Sequence, residues 1–469
     1  MWQDQAGKID KIDKRQRPEE AGPLTQRADG RRLRERISSL RVEAYMQHAR
    51  TDSYPLILAR TFALVALFAV PLSTAGVNIA ASLFAVCALL SPEVWRNWRS
   101  IFTDRVSVAA LLLAAALMLS LAWTTADRGH AFDFLMKYRK LIYLPLLMLT
   151  FRDCRTTAWT TVAKWTLFGA LTFALVLSCS NYFGWTSIGT WHSNTDPIRK
   201  AWVFKDHIAA GIMTALLFYL ALNFAKHARS RAARVTLYIV ALLAIVNVLL
   251  MMQGRTGQII AILFIVIYVV TYFVSLRGMK PWMRWGSGIV LVAVAGSLVY
   301  AALHSHASRL AETHEEISAY ETSNKNTSMG VRIVFYRRSL ELIAERPIIG
   351  HGVGTVQDEF DAFARNATGA KAATAGNPHN EFLLMGIQLG ALGIALFVFF
   401  LVQIGRSALE LREPARTIVL AYLFAFAIGC FANSLLLNFT EGNLFIFLVG
   451  IFLSCRKETP SKADKSPVR

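Results

Sequence analysis

Twelve stretches of this chain are apolar enough to lie in the hydrocarbon core of a bilayer, and no other feature limits its fold so strongly. A helix needs about 20 mostly apolar residues to cross that core. Inside lipid every backbone N–H and C=O must find a partner within the protein, so such runs fold as helices. They are Pro55 to Leu72, Thr74 to Leu90, Val106 to Trp123, Lys140 to Phe151, Trp165 to Phe183, Ile208 to Phe224, Val235 to Met252, Gly257 to Leu276, Trp285 to Leu303, Phe382 to Ile404, Thr417 to Leu437 and Leu444 to Cys455. The fourth and twelfth are short. The fold class expected is an all-α integral membrane protein with about 12 transmembrane helices. Composition agrees: 54% of the 469 residues are apolar and 17% charged, too few polar residues to cover a soluble surface. Of five cysteines, Cys87, Cys179 and Cys430 lie inside apolar runs, and no paired framework is visible.

The net charge of +19, from 50 Lys and Arg against 31 Asp and Glu, would suggest nucleic acid in a soluble protein. Here the distribution decides otherwise. Basic residues crowd the first 50 positions and recur in alternate connections: Arg96, Arg99 and Arg105; Arg152, Arg155 and Lys164; Lys226, Arg229, Arg231 and Arg234; Arg277, Lys280 and Arg284; Arg406, Arg412 and Arg416. Alternation of this kind is the positive-inside pattern, and it sets both termini in the cytoplasm. No apolar core follows the first basic residues, so a cleavable signal peptide is not expected. The expected organisation is a cytoplasmic basic tail (1–54), spans 1–9 (55–303), an outside loop domain (304–380), spans 10–12 (381–455) and a cytoplasmic tail (456–469).

Basic residues that break the alternation mark the outer face. They are Arg128, Lys137, Arg139 and Lys140; Arg199, Lys200 and Lys205; Arg255; and those of the loop from His304 to Asn380, about 75 residues long. Loops of that length are usually functional. Within it, Met329 to Glu345 reads as an amphipathic helix, with Ile333, Tyr336, Leu340 and Ile343 at three- and four-residue intervals. Gly350, Gly352 and Gly354 follow Pro347; without a preceding strand they read as a tight turn returning the chain to the membrane, not as a phosphate loop. Pro378 fits a helix entrance, and His379 beside it is either a polar cap or a base able to take a proton from a hydroxyl.

Arg255 stands in the short turn Gln253-Gly254-Arg255-Thr256-Gly257 with no acidic neighbour in sequence. It either snorkels to headgroups or forks onto a phosphate. Arg332 opens the loop helix, also without an adjacent carboxylate. Arg337 is expected to pair with Glu341, and Arg338 with Glu345 or Glu341.

Gly254-Arg255-Thr256-Gly257 after a long span, Arg332 followed by Glu-Arg-Pro-Ile-Ile-Gly-His-Gly-Val-Gly, and Pro378-His379-Asn380-Glu381-Phe382-Leu383 at the next span together resemble the O-antigen ligase and polymerase superfamily of bacterial envelope glycosyltransferases. The specific motifs lie between Gln253 and Leu383, and the long loop between spans 9 and 10 is more similar to the ligases. The resemblance implies a GT-C-like architecture in the bacterial inner membrane with the site facing the periplasm. It implies transfer of O-antigen glycan from undecaprenyl diphosphate to a sugar hydroxyl of lipid A-core oligosaccharide, completing lipopolysaccharide without nucleotide or other cofactor. His379 would be the general base of an inverting displacement, and Arg255 and Arg332 the diphosphate ligands; Arg338, Lys205, Arg139 and Lys140 are secondary substrate-binding candidates.

No Asp-x-Asp pair is present at the outer face. Glu359-x-Asp361, and His304, His306 and His314 with Glu315, read as solvated loop surface, so no metal is expected and activity should survive EDTA. The partners expected are the lipid-linked donor, the lipid A-core acceptor and membrane lipids, with no nucleic acid. Three alternatives remain: an O-antigen polymerase, since Asn181 to Asp206 forms a second basic outside loop of about 27 residues; a protein O-oligosaccharyltransferase; and, in another class, a lipid or glycan transporter, which should show paired repeats, broken helices or charges near mid-span.

Overall fold

The computed structural model describes residues 52–152, 157–189, 200–275, 281–304, 313–324, 326–365 and 367–454. The amino-terminal tail, Arg155, Arg199, Arg277, Lys280, His306 and the tail from Arg456 lie outside them. The described residues from Tyr54 onward form one compact unit. This unit runs, in order, through α1 (Tyr54–Ala69), α2 (Thr74–Leu89), α3 (Pro92–Asn97), α4 (Arg105–Leu119), α5 (Arg128–Met136), α6 (Lys140–Thr150), α7 (Thr157–Tyr182), α8 (His207–Lys226) and α9 (Arg231–Val246). It continues through α10 (Arg255–Ser275), α11 (Pro281–Leu303), α12 (Thr313–Ser323), α13 (Ser328–Glu345), α14 (Val356–Ala364), α15 (Glu381–Leu409), α16 (Ala415–Gly429) and α17 (Phe439–Leu453).

A helix stands at each of the twelve apolar runs. Among the described residues six helices are long and apolar enough to cross a membrane: Arg105–Ala122, Ala158–Tyr182, His207–Lys226, Arg231–Met251, Arg255–Val274 and Glu381–Leu409. Thr74–Leu89 meets that test only together with Pro92–Phe102, across a 70° bend. Helices α1, α16 and α17 are shorter. The chain is thus a helical, multi-pass membrane protein. Ile79, Leu242, Val266 and Val270 face outward on these helices, an apolar exterior that suits lipid and not water. Polar residues close the helix starts: Asp104, Asp127, Asp206 and Asn380 accept hydrogen bonds from the backbone N–H groups that a first turn leaves open.

Helix α17 is apolar around its circumference and is buried from Thr440 to Leu453, so it forms the axis of the bundle. Phe445 stacks on Phe426 of α16 with ring centroids 3.9 Å apart. Helix α10 comes so close to α8 that a Cβ on Gly257 would lie 2.6 Å from the Gly211 Cα. Two features of the sequence motifs follow from such packing: Gly257 lets Arg255 sit at this crossing, and Gly254 abuts the His207 carbonyl.

The tenth apolar run is not one straight helix. Gly390 leaves helical geometry at φ 64°, ψ −153°, and the backbone groups freed by that break need partners within the protein. The glycine-rich segment supplies them. His351 N–H donates to the Ile387 carbonyl and Gly352 N–H to that of Gln388, while the Pro347 and Ile348 carbonyls accept from Ala391 and Leu392. Gly350, Gly352 and Gly354 have positive φ, and backbone of α15, of Thr124 and of Ala131 leaves no room for a side chain at them, so both constraints call for glycine. The segment is a turn, as the sequence suggests, and it is stitched into the bundle.

Helix α13 forms over nearly the expected residues, but its buried positions are Val334, Phe335, Ser339 and Leu342; Leu340 is exposed. The eleventh run also ends early. Helix stops at Gly429, and residues 430–438 fold as an irregular turn toward α17.

Substituting Gly390→Ala forces a positive φ on a side chain whose Cβ would lie 2.4 Å from the Ile348 carbonyl carbon. The conformational penalty alone is about 1–3 kcal/mol. A lower Tm than wild type in detergent, read by tryptophan fluorescence, is the expected result.

Candidate functional site

Three chain segments converge at one end of the bundle: the start of α10, the long connection with α13, and the turn before α17. Arg255 begins α10 and is only 10% exposed. Its Nη2 lies 2.6 Å from Glu316 Oε1. The sequence reading of Arg255 as a guanidinium without an acidic neighbour is therefore corrected: the partner is remote in sequence and comes from α12. Glu316 also accepts from the Met329 N–H at 3.0 Å, and Thr327 donates to its carbonyl. One carboxylate thus ties a membrane helix to the start of α13.

Arg332, one turn into α13, makes no ion pair or hydrogen bond among the described residues. Burial and the nearby Arg255 lower its pKa, partly offset by Tyr336 and Glu316. Arg255 and Arg332 share the wall of a cavity of about 130 Å³ with Trp202, His207, Gln253 and Ser328. The buried indole N–H of Trp202 has no hydrogen-bond partner among the described residues. Two guanidinium groups with an unused N–H donor make this cavity a fit for an anion.

His379 is not on that wall, but Arg332 acts on it electrostatically. It has φ 52° and is held from several sides. Its N–H donates to Asn377 Oδ1 at 2.9 Å, and its carbonyl accepts from the Tyr336 hydroxyl at 3.2 Å. That hydroxyl also reaches the Phe431 carbonyl at 2.7 Å. The ring is near-parallel to Phe335 with centroids 6.1 Å apart, and Nδ1 is 3.0 Å from Asn433 Oδ1. An amide oxygen only accepts, so Nδ1 carries the proton and Nε2 keeps its lone pair. Burial lowers the His379 pKa, and Arg332 lowers it further, while the bond to Asn433 raises it. A neutral imidazole with an available lone pair is what a general base requires.

Asn433 and the turn that carries it are fixed from below. Glu381 Oε2 accepts from the N–H groups of Leu436 (2.7 Å) and Leu437 (3.2 Å). Lys140 Nζ donates to the carbonyls of Leu436 (2.8 Å), Leu437 (3.1 Å) and Asn438 (2.6 Å). All three Lys140 donors are thereby occupied by backbone. As a phosphate ligand Lys140 is corrected to a clamp on this turn.

The other secondary candidates separate. Arg338 lies between Glu341, Glu345 and Glu359, each within 3.5 Å, and faces the Phe363 ring, so its charge is already balanced. Arg337 has no ion pair among the described residues, contrary to the pairing expected from its spacing. Lys205 is buried, which lowers its pKa against the opposing effects of Glu441 and Asp206, and it lines neither this cavity nor the one near Arg139. Arg139 donates to the Met136 carbonyl and to Asn78 Oδ1. No group of three or more potential metal-binding side chains occurs among the described residues.

Asn433, Asn377, Tyr336 and Glu316 escaped the sequence reading. The pair Asn433-Ser434 inside an apolar run was a usable signal, since polar residues there need a reason. Glu316 had none beyond its charge.

Residues 239–398 match the sequence model of the family described as Wzy_C: O-Antigen ligase. That segment holds Arg255, Arg332 and His379; the turn with Asn433 follows it. A protein of Haemophilus influenzae described as "Uncharacterized protein" is 35% identical over 94 residues, 19% of this chain and 23% of its own length. The chain thus matches about a quarter of that relative.

Lys140→Met keeps the aliphatic stem and removes the three donors. Leaving one member of a buried charged cluster without its partners costs about 3–5 kcal/mol. The expected outcome is a lowered Tm in detergent; an unchanged Tm with a raised KM for donor would restore Lys140 to phosphate binding.

Proposed function

From the O-antigen ligase superfamily, to which residues 239–398 belong, we propose that this protein transfers O-antigen glycan from undecaprenyl diphosphate to a sugar hydroxyl of lipid A-core oligosaccharide. In this reading it has twelve spans with a GT-C-like arrangement, lies in the bacterial inner membrane with both termini cytoplasmic, and works at the periplasmic face. Periplasm holds no ATP, so the donor must arrive activated; a diphosphate on a lipid is a good leaving group already at the membrane surface.

The observation that carries the reading is the joint setting of Arg332, Arg255 and His379, two guanidinium groups on one anion-sized cavity and a neutral imidazole within their electrostatic reach. The acceptor hydroxyl gives its proton to His379 Nε2 as its oxygen attacks the anomeric carbon. The bond from that carbon to the diphosphate oxygen breaks, the configuration inverts, and the electron pair leaves with undecaprenyl diphosphate. Charge grows on the leaving oxygen, where Arg332 and Arg255 stabilise it without a metal. Asn433 holds the tautomer that keeps Nε2 free. Arg338, Lys205 and Lys140 have no direct contact with substrate in this scheme.

A polymerase reading keeps one specific observation: Trp202, from the second outside connection, and His207, which follows it at the start of α8, also line the arginine cavity. The two readings differ only in the acceptor, a lipid A-core or another lipid-linked glycan.

Purified protein given lipid-linked glycan and lipid A-core, with EDTA and no nucleotide, should yield lipopolysaccharide; longer lipid-linked chains instead would mark a polymerase. His379→Ala should lose about 100-fold or more in kcat. Because the His379 pKa lies below the ordinary value of about 6.5, kcat should hold at neutral pH and fall only as pH drops past that lowered value. Removing the Arg332 cation takes away a pKa-lowering charge, so the residual activity of Arg332→Gln should begin to fall at a higher pH. An acid limb that stays in place in Arg332→Gln would separate the two residues.

A further inference from the structure

A second cavity, of about 420 Å³, opens at the same end of the bundle on the other side of the clamped turn. It lies within the size range of small-ligand sites, which the arginine cavity does not reach. Its wall joins the first turn of α2, the start of α6, Asn377 and the turn into α17. Asn377 is the residue whose side-chain oxygen accepts from the His379 N–H, so this wall and the candidate base share a support.

The lining chemistry is mixed in a specific way. Arg139 and Lys137 bring positive charge, and Asn78, Asn377, Asn438 and Asn443 bring amides. Arg139 is preorganised: Nη2 donates to Asn78 Oδ1 at 3.0 Å and Nη1 to the Met136 carbonyl at 3.1 Å. A guanidinium held this way loses little freedom on binding an oxyanion, and amides beside it suit sugar hydroxyls. The remaining wall is apolar, with Val77 and Ala81, and α2 continues outward through exposed Ile79, Leu83 and Val86. An amphiphile therefore fits: a charged sugar head in the cavity and acyl chains along α2.

We propose that this cavity binds the acceptor, a phosphorylated glycolipid, through Arg139 and the surrounding amides, apart from the arginine cavity that takes the donor diphosphate. The proposal rests on the transferase reading above and assigns its second substrate. One substrate enters beside α10 and α13, the other beside α2 and α6, and Asn377 with His379 lies between the two walls.

The full-length protein in nanodiscs tests this. Arg139→Gln should raise the KM for lipid A-core about 10-fold or more, as expected for a lost charge-assisted contact, with donor KM and kcat at saturating acceptor unchanged. Asn443→Leu, on another wall, should do the same and stands in should Arg139→Gln lower the Tm. Binding is measured separately without donor. His379→Ala should bind lipid A-core vesicles as wild type does, Arg139→Gln should bind them about 10-fold more weakly, and phosphatidylglycerol vesicles should bind weakly to both. Equal binding of phosphatidylglycerol and lipid A-core would make this a general lipid contact and overturn the proposal, as would a raised donor KM or an unchanged acceptor KM. If no variant or wild type ligates, the transferase reading fails by itself, and the binding arm still decides whether the cavity takes phosphorylated glycolipid.

Discussion

Glu381 and Lys140 grip opposite sides of the same stretch of backbone. The carboxylate takes the N–H groups of Leu436 and Leu437, the ammonium takes the carbonyls from Leu436 to Asn438, and all of this is buried. The turn's N–H and C=O groups at Leu436 and Leu437 are buried, and each unmade bond there would cost about 1–3 kcal/mol. Two charged side chains from the starts of α15 and α6 solve that problem together, each also lying near the opposite charge. The turn carries Asn433, Asn433 orients His379, and His379 stands two residues before Glu381. The candidate base is thus held by a loop that its own neighbour in sequence holds down.

The break at Gly390 obeys the same constraint with different means. There the missing partners are main-chain groups of residues 347–352, which run beside the broken helix and exchange hydrogen bonds with it. The long connection between α11 and α15 therefore does not sit on the bundle as a separate cap. Its glycine-rich part completes a membrane helix, and Glu316 ties its first part to Arg255. Arg332, on α13 between these two anchors, gains a fixed position without any ion pair of its own among the described residues.

What the sequence made legible was set by periodicity and local chemistry. Apolar runs located helices at all twelve positions, because the bilayer requirement is written into single residues. Met329 to Glu345 was found by its helical spacing for the same reason. The ends were harder. Helix α16 stops at Gly429 although the apolar run continues to Leu437, since the turn is stabilised by Glu381 and Lys140, both remote in sequence. Arg255, Arg332 and His379 stood out as polar residues at span ends or in the loop, but the state of each depends on contacts that spacing does not encode. Glu316 lies 61 positions from Arg255 and Asn433 lies 54 from His379. Arg338 shows the converse, since its local carboxylates at three and seven positions on were readable, and they do neutralise it.

The charges at the arginine cavity also act on one another in a direction that suits ordered binding. Two guanidinium groups line the cavity, Arg255 paired with Glu316 and Arg332 without an ion pair among the described residues, a setting that suits an anion. Arg332 is one of the causes that hold His379 neutral. An anion seated on Arg332 would screen that repulsion and let the imidazole pKa rise, making His379 a stronger base once the diphosphate is bound. Without donor the same histidine is a weaker base, and an activated hydroxyl has nothing to attack. In the proposed reaction a single cation would therefore couple the two halves: Arg332 would stabilise the departing diphosphate, and its occupancy would set the proton affinity of His379.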